Sequence, residues 1–374
     1  MKEKIMKNEI LYYIAFFLLA FTSISKISLF FKLDNITYKI FYIIILTIFL
    51  IKFLISKYSK KMFLTVIGIG IIALYLSLVT KNFLFILDYM AIASIKDVNI
   101  KNVIKIDLTI KLLFLLIHVA LYTNDYFFNY YKIANKLIYT FYSGKSRYAF
   151  YFTHANSANS VVICSIIDWI IISTNKKKSI IIGTIIAFIF SKLTISRTSE
   201  YIYYLYLLTI LFLSKGWFKK VFYLLEKYLF LGLSIISFVI LKGAEFISKK
   251  FFIDFNVLFS YRFSLGILAI EKYGIHFLTH KINDSVLDIS LIVDNFYIRS
   301  FIEYGIILLI LITFLYFIVS KIKEKNIYHR AMFIIFPIYL FTELFPFNVG
   351  RAIFLLIIAN SIINKSDERR ESIK

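Results

Sequence analysis

Apolar and polar positions in this chain neither alternate nor recur every three or four residues; they come in blocks. Continuous apolar runs of 15 to 25 residues follow one another along all 374 residues, separated by short lysine clusters. Each run is close to the roughly 20 residues with which an α-helix crosses a hydrocarbon core of about 30 Å. Unbroken rather than alternating apolarity predicts helices and argues against a transmembrane barrel. The expected helices cover 9–25, 36–56, 62–79, 82–95, 106–123, 148–173, 179–191, 200–214, 221–241, 299–320, 329–347 and 350–364, about twelve crossings. The fold class is therefore all-α: a polytopic integral membrane protein with a single membrane domain, 1–374, and one large, partly helical extracytoplasmic loop at 242–298. No A-x-A cleavage site follows the first run, which reads as a retained helix rather than a signal peptide.

Composition strengthens this picture. Hydrophobic residues make up 60% of the chain and charged residues only 18%, against roughly a quarter charged in soluble domains. The net charge of +22 would suggest nucleic acid in a soluble protein. Here the lysines stand between apolar runs, where the positive-inside rule puts them, so the charge reports topology and no nucleic-acid partner is expected. With both termini cytoplasmic, every inside segment is basic, from Lys2, Lys4 and Lys7, through Lys57/Lys60/Lys61, Lys96/Lys101/Lys105, Lys176 to Lys178, Lys215/Lys219/Lys220 and Lys321 to Arg330, to the tail 365–374. The single cysteine, Cys164, excludes a disulfide framework or a thiolate metal site. The two prolines, Pro337 and Pro346, fall in the eleventh expected helix and predict a kink there.

The interval Ser260 to Gly305 breaks the apolar blocks without becoming a lysine linker. Arg262 and Arg299 bracket Glu271, Asp284, Asp288, Asp294, Glu303, His276 and His280. Of eight arginines, five (Arg147, Arg197, Arg262, Arg299 and Arg351) fall in outer segments, against the topology signal. A guanidinium grips phosphate bidentately, so these residues suggest an anionic ligand, most simply a phosphate or diphosphate. The fork argument is stronger for Arg197, Arg262 and Arg299; Arg147 and Arg351 also suit headgroup snorkelling at helix ends.

Short motifs fill in the chemistry. RYAFYFTHANSANS, from Arg147 to Ser160, opens the sixth helix with small residues that permit close helix approach, and its His154 is an acid/base candidate or an interfacial cap. SKLTISRTSEY, from Ser191 to Tyr201, sets Arg197 and Glu200 three apart, with Thr198 or Ser199 expected to cap the eighth helix. In LIVDNFYIRSFIEYG, from Leu291 to Gly305, Asp294 and Asn295 suit a helix cap, and Asp294 near Tyr297 and Arg299 also suits proton transfer from a hydroxyl. The neighbouring arginines are expected to lower its pKa. His276 and His280 fall four apart, one face of a helix, without a zincin signature. Asp88, inside an apolar run, is expected to face a partner or a cavity.

In their order, FTHANSANS, KLTISRTSEY, YRFSLGILAI and VDNFYIRSFIEYGIILLI resemble the Wzy-type polysaccharide polymerases of O-antigen and capsule pathways, within the membrane glycosyltransferases that include O-antigen ligases. The resemblance spans about 140–320. One departure is the run Tyr273-Gly274-Ile275-His276, where the family usually has a Gly-rich turn.

The resemblance implies a GT-C-like architecture in the bacterial cytoplasmic membrane. It implies inverting, metal-independent transfer, without cofactor, of a growing glycan from polyprenyl diphosphate to the next lipid-linked repeat unit on the outer face. Its partners would be the polyprenyl-diphosphate-linked oligosaccharide, membrane lipid, and a chain-length regulator and flippase of the same pathway. Carried over, Arg197, Arg262 and Arg299, with Arg351 as a further contact, would hold the diphosphate. Asp294, or alternatively Glu200 or His154, would be the catalytic group. Asn295, Tyr297 and Glu303 would position the acceptor. A lipid-linked oligosaccharide flippase or exporter, which should carry its arginines in a central cavity, and an O-antigen ligase, which resembles a pattern with histidine where Asp294-Asn295 stands, remain as alternatives.

Overall fold

The computed structural model describes residues 2–128, 139–142, 145–216, 218–243, 262–282, 294–322 and 326–371. Much of the large loop, 244–261 and 283–293 with Asp284 and Asp288, lies outside the described residues. The described residues are mainly helical: α1 Lys2–Ser25, α2 Asn35–Ile55, α3 Lys60–Thr80, α4 Leu84–Ala93, α5 Ile100–Phe128, α6 Ala155–Ile172, α7 Lys176–Thr194, α8 Arg197–Lys215, α9 Lys219–Gly243, α10 Arg262–Tyr273, α11 Phe296–Arg299, α12 Ile306–Ser320, α13 Ile327–Thr342 and α14 Phe354–Glu371. An antiparallel hairpin, β1 Tyr139–Tyr142 with β2 Lys145–Tyr148, interrupts the helices. Among the described residues five helices are long and apolar enough to cross a membrane, in α1, α2, α3, α6 and α9, and four shorter apolar helices accompany them. Large apolar side chains also face outward, such as Leu64, Ile71 and Leu78 on α3. A contiguous outward apolar face is what a lipid-embedded protein presents.

The chain divides into two compact units. The first comprises Met1–Tyr58, Met90–Leu208 and Asn348–Lys374; the second comprises Ser59–Tyr89 and Thr209–Phe347. In the first, α1 packs on α2 and α5, α5 on α6, and α6 on α7. The small residues of α6 allow this: Ala155, Ala158, Asn159 and Ser160 are buried, and Asn159 Nδ2 reaches Ser191 Oγ on α7 at 3.1 Å and Ser196 O at 3.2 Å. In the second, α9 packs on α12 and α13. Pro337 inside α13 has no N–H to give to Phe333 O. Tyr316 Oη donates to that carbonyl at 3.2 Å, and Tyr297 Oη donates to Pro337 O at 3.0 Å.

Several boundaries differ from expectation for physical reasons. Helix α5 starts at Ile100 because lysines end an apolar run without ending a helix; Asn99 Oδ1 accepts from Lys101 N at 3.0 Å. Helix α6 starts at Ala155 rather than 148, after Phe150 and Tyr151 take positive φ and His154 caps. Helix α8 begins at Arg197, so Thr198 and Ser199 lie in its first turn and do not precede it as caps. Pro346 stands outside α13, in the 3₁₀ turn Phe345–Phe347 after Glu343 has gone extended.

The expected helix at 299–320 is split. A π turn, Ser300–Tyr304, follows α11, with Gly305 N donating to Ser300 O at 2.8 Å. Gly305 takes φ +89 before α12. The segment after α10 runs along this break: His276 N donates to Phe301 O and His280 N to Glu303 O, each at 2.8 Å, while Ile306 N and Ile307 N donate back to His276 O and Phe277 O at 3.1 Å. Carbonyls released by the wide turn are thereby satisfied. His276 and His280 are not helical, yet their rings stack 4.0 Å apart. Among the described residues no His, Cys, Asp and Glu group is arranged to hold a metal.

A Cβ on Gly305 would meet Leu278 C and Phe277 O at 2.7 Å, whereas one on Gly232 in α9 meets nothing within 4 Å. Gly305→Ala should therefore lose about 1–3 kcal/mol from backbone strain alone, while Gly232→Ala gains a few tenths to about 1 kcal/mol. Thermal unfolding of the two variants in the same detergent checks the contrast.

Candidate functional site

The second unit brings together most of the loop-closing residues singled out in the sequence. Arg262 begins α10; its guanidinium donates to Glu343 Oε1 at 2.9 Å and lies 3.7 Å from Asp294 Oδ2. Glu343 ends α13, so Arg262 also sits where a helix C-terminus favours a cation. Arg299 pairs with Glu303 one turn on, and its guanidinium lies 5.9 Å from the centre of the Tyr304 ring. Each arginine is thus already met by a glutamate.

Asp294 differs from both glutamates. Its side chain is 38% exposed, against 12% for Glu343 and 11% for Glu303. Desolvation by the crowded surroundings raises its pKa, and the opposing pull of Arg262 and then Arg299 does not overcome it. The sequence expectation of a lowered value is corrected here, because proximity in the chain reveals the cations but neither the burial nor the glutamates that neutralise them. An accessible carboxyl with a raised pKa beside a fixed guanidinium can exchange a proton with a hydroxyl.

Asn295 and Tyr297 hold the frame. Asn295 is fully buried; its Oδ1 accepts from Ile298 N at 3.0 Å and its Nδ2 donates to Phe341 O at 2.7 Å. Of the Asp294-Asn295 pair, then, Asn295 is the cap. Tyr297 is buried against Phe230, ring centres 5.1 Å apart.

The remaining site residues belong to the first unit. Arg197 is exposed at the first turn of α8, and no described residue pairs with it. Glu200 accepts from Tyr204 Oη at 3.2 Å on the same helix. Arg351 Nε donates to Ser23 O at 3.3 Å. Arg147 is buried rather than snorkelling, with Nε on Thr194 O at 2.8 Å and a second nitrogen on Asn156 Oδ1. His154 caps α6 through Nδ1, which accepts from Asn156 N at 3.1 Å. Desolvation by the surrounding chain, and then the charge on Arg147, lowers its pKa, which suits a ring that must keep a lone pair on Nδ1.

Sequence reasoning missed Glu343. It lies inside the apolar run expected at 329–347, where its charge alone was the signal. Glu226, paired with Arg330, and the buried group Asp107, Lys111 and Asp168 were overlooked for the same reason.

Compared with family models, curated proteins and solved structures, the chain finds no match in any of the three.

The capping role predicts that His154→Ala costs about 0.5–2 kcal/mol while His154→Asn, which keeps a side-chain acceptor, costs much less. Thermal unfolding together with amide exchange over the first turn of α6 reads both.

Proposed function

We propose that this protein is a membrane glycosyltransferase that extends a polysaccharide, moving a growing glycan from polyprenyl diphosphate to the next lipid-linked repeat unit at the outer face of the cytoplasmic membrane. The observation carrying this reading is Asp294, an accessible carboxyl of raised pKa, 3.7 Å from a guanidinium nitrogen that also donates to Glu343. The order of the four motifs along the chain supports the same class, and the apolar helices suit a lipid-borne substrate.

In this reading the acceptor hydroxyl oxygen attacks the anomeric carbon and its proton passes to Asp294. The bond from that carbon to the diphosphate oxygen breaks with inversion, and the electron pair leaves on the diphosphate. Negative charge grows on the leaving group, which preorganised cations stabilise in a low-dielectric mouth. Arg262 and Arg299, both in the second unit, supply that charge. Since Glu343 and Glu303 already engage the two arginines, the diphosphate binds the guanidinium nitrogens that the glutamates leave open. Arginine serves here in place of a metal.

Purified protein with synthetic lipid-linked repeats tests the proposal. Arg262→Ala and Arg299→Ala should each cut the polymerisation rate by about 10²-fold or more, by analogy with the loss of one transition-state donor, and Asp294→Asn should abolish it. Undiminished activity in all three overturns the assignment, and a strict Mg²⁺ requirement overturns the metal-free mechanism. A base must be deprotonated to act, so a raised Asp294 pKa places the acidic limb of the rate profile above the ordinary carboxylate value of about 3.9. Arg262→Gln, removing a cation that lowers this pKa, should move the limb further up. A limb at or below the ordinary value in both proteins excludes Asp294 as the base.

A further inference from the structure

Away from that cluster, the first unit buries a second ionisable group. Lys111 on α5 is fully buried, its Nζ 2.5 Å from Asp107 Oδ2 one turn earlier and 2.8 Å from Asp168 Oδ2 on α6. Both carboxyls are buried, and Asp107 Oδ1 has no hydrogen-bond partner among the described residues. The group lies well inside the helices: Asp107 is seven residues, about 10 Å, beyond Ile100, and Asp168 is four residues, about 6 Å, before Ile172. Among the described residues Cys164 on α6 is the other titratable side chain that acts on Lys111, and α1 and α14, which also pack on α5, bring no charged described side chain to it.

With all three ionised, this site would hold a net charge of −1 and two like charges converging on one ammonium. Two carboxylates sharing a dry site do not both ionise readily. A buried carboxylate also needs donors on both oxygens. Asp107 has a donor on one oxygen only, and an unpaired neutral oxygen costs less than an unpaired anionic one.

We propose that the Asp107–Lys111–Asp168 group is a proton-binding site, in which the two carboxyls hold one proton between them and the group is electrically neutral. The bound proton allows α5 and α6 to stay closed over an ammonium without an uncompensated charge. Its loss leaves a net negative charge in the helix contact, so the α5–α6 brace weakens as pH rises.

Infrared spectra of the purified full chain at pH 7 test this directly. Wild type should show the C=O stretch of a protonated carboxylic acid, and Asp107→Asn or Asp168→Asn should remove a band of that kind and melt no lower than wild type. Asparagine has the shape of the protonated acid, so at least one variant should also lose the alkaline destabilisation. Absence of any protonated-acid band in wild type overturns the proposal without recourse to variants. It is equally overturned if neither variant folds, if both melt lower with the band intact, or if stability tracks Na⁺ or K⁺ concentration, which would make the ligand a metal cation.

Discussion

A cation withdrawn from water, met by oxygen atoms prepared to receive it, is the interaction on which most of this structure rests. It takes two forms. Lys111 and Arg262 are received by carboxylates. Arg147 and Lys52 are received by neutral oxygen, Arg147 on Thr194 O and Asn156 Oδ1, Lys52 on Ser56 Oγ and Lys96 O. Taking a charge out of water costs several kcal/mol even after relaxation, so each of these contacts fixes the helices that carry it. The lysine-rich composition hides the pattern, since most lysines stay at the rim and only a few enter the packed interior.

The first-order architecture was readable because it depends on one-dimensional facts. Block apolarity forecasts helices, and the long runs at 36–56, 62–79 and 221–241 reappear within a residue or two as α2, α3 and α9. Boundaries failed where a polar residue stays helical, as at Lys101 and Lys105, or where an apolar residue does not, as at Phe150 and Tyr151 with positive φ. The split at Ser300–Gly305 was invisible for another reason. Its stability comes from amides of His276 and His280, more than twenty residues earlier, and local sequence carries no record of that pairing.

The candidate site was legible in part. Arg262, Asp294, Arg299 and Glu303 were identified as ionisable residues at the ends of a polar interval, and they do occupy the same compact unit. What the sequence withheld was who neutralises whom. Glu343, concealed in an apolar run, takes the Arg262 guanidinium, and Asp294 is left partly accessible with its pKa raised by desolvation. Asn295, one of two residues expected to cap the helix, is the one that does so.

That double service has a consequence for mutational tolerance. With one amide, Asn295 ends α13 through its nitrogen and begins α11 through its oxygen. Aspartate would keep the second contact but turn an acceptor toward the Phe341 carbonyl, and serine lacks the reach to span both. The genetic drift open to most helix caps, among Ser, Thr, Asp and Asn, is closed at this codon, although the aspartate beside it is free of that restraint.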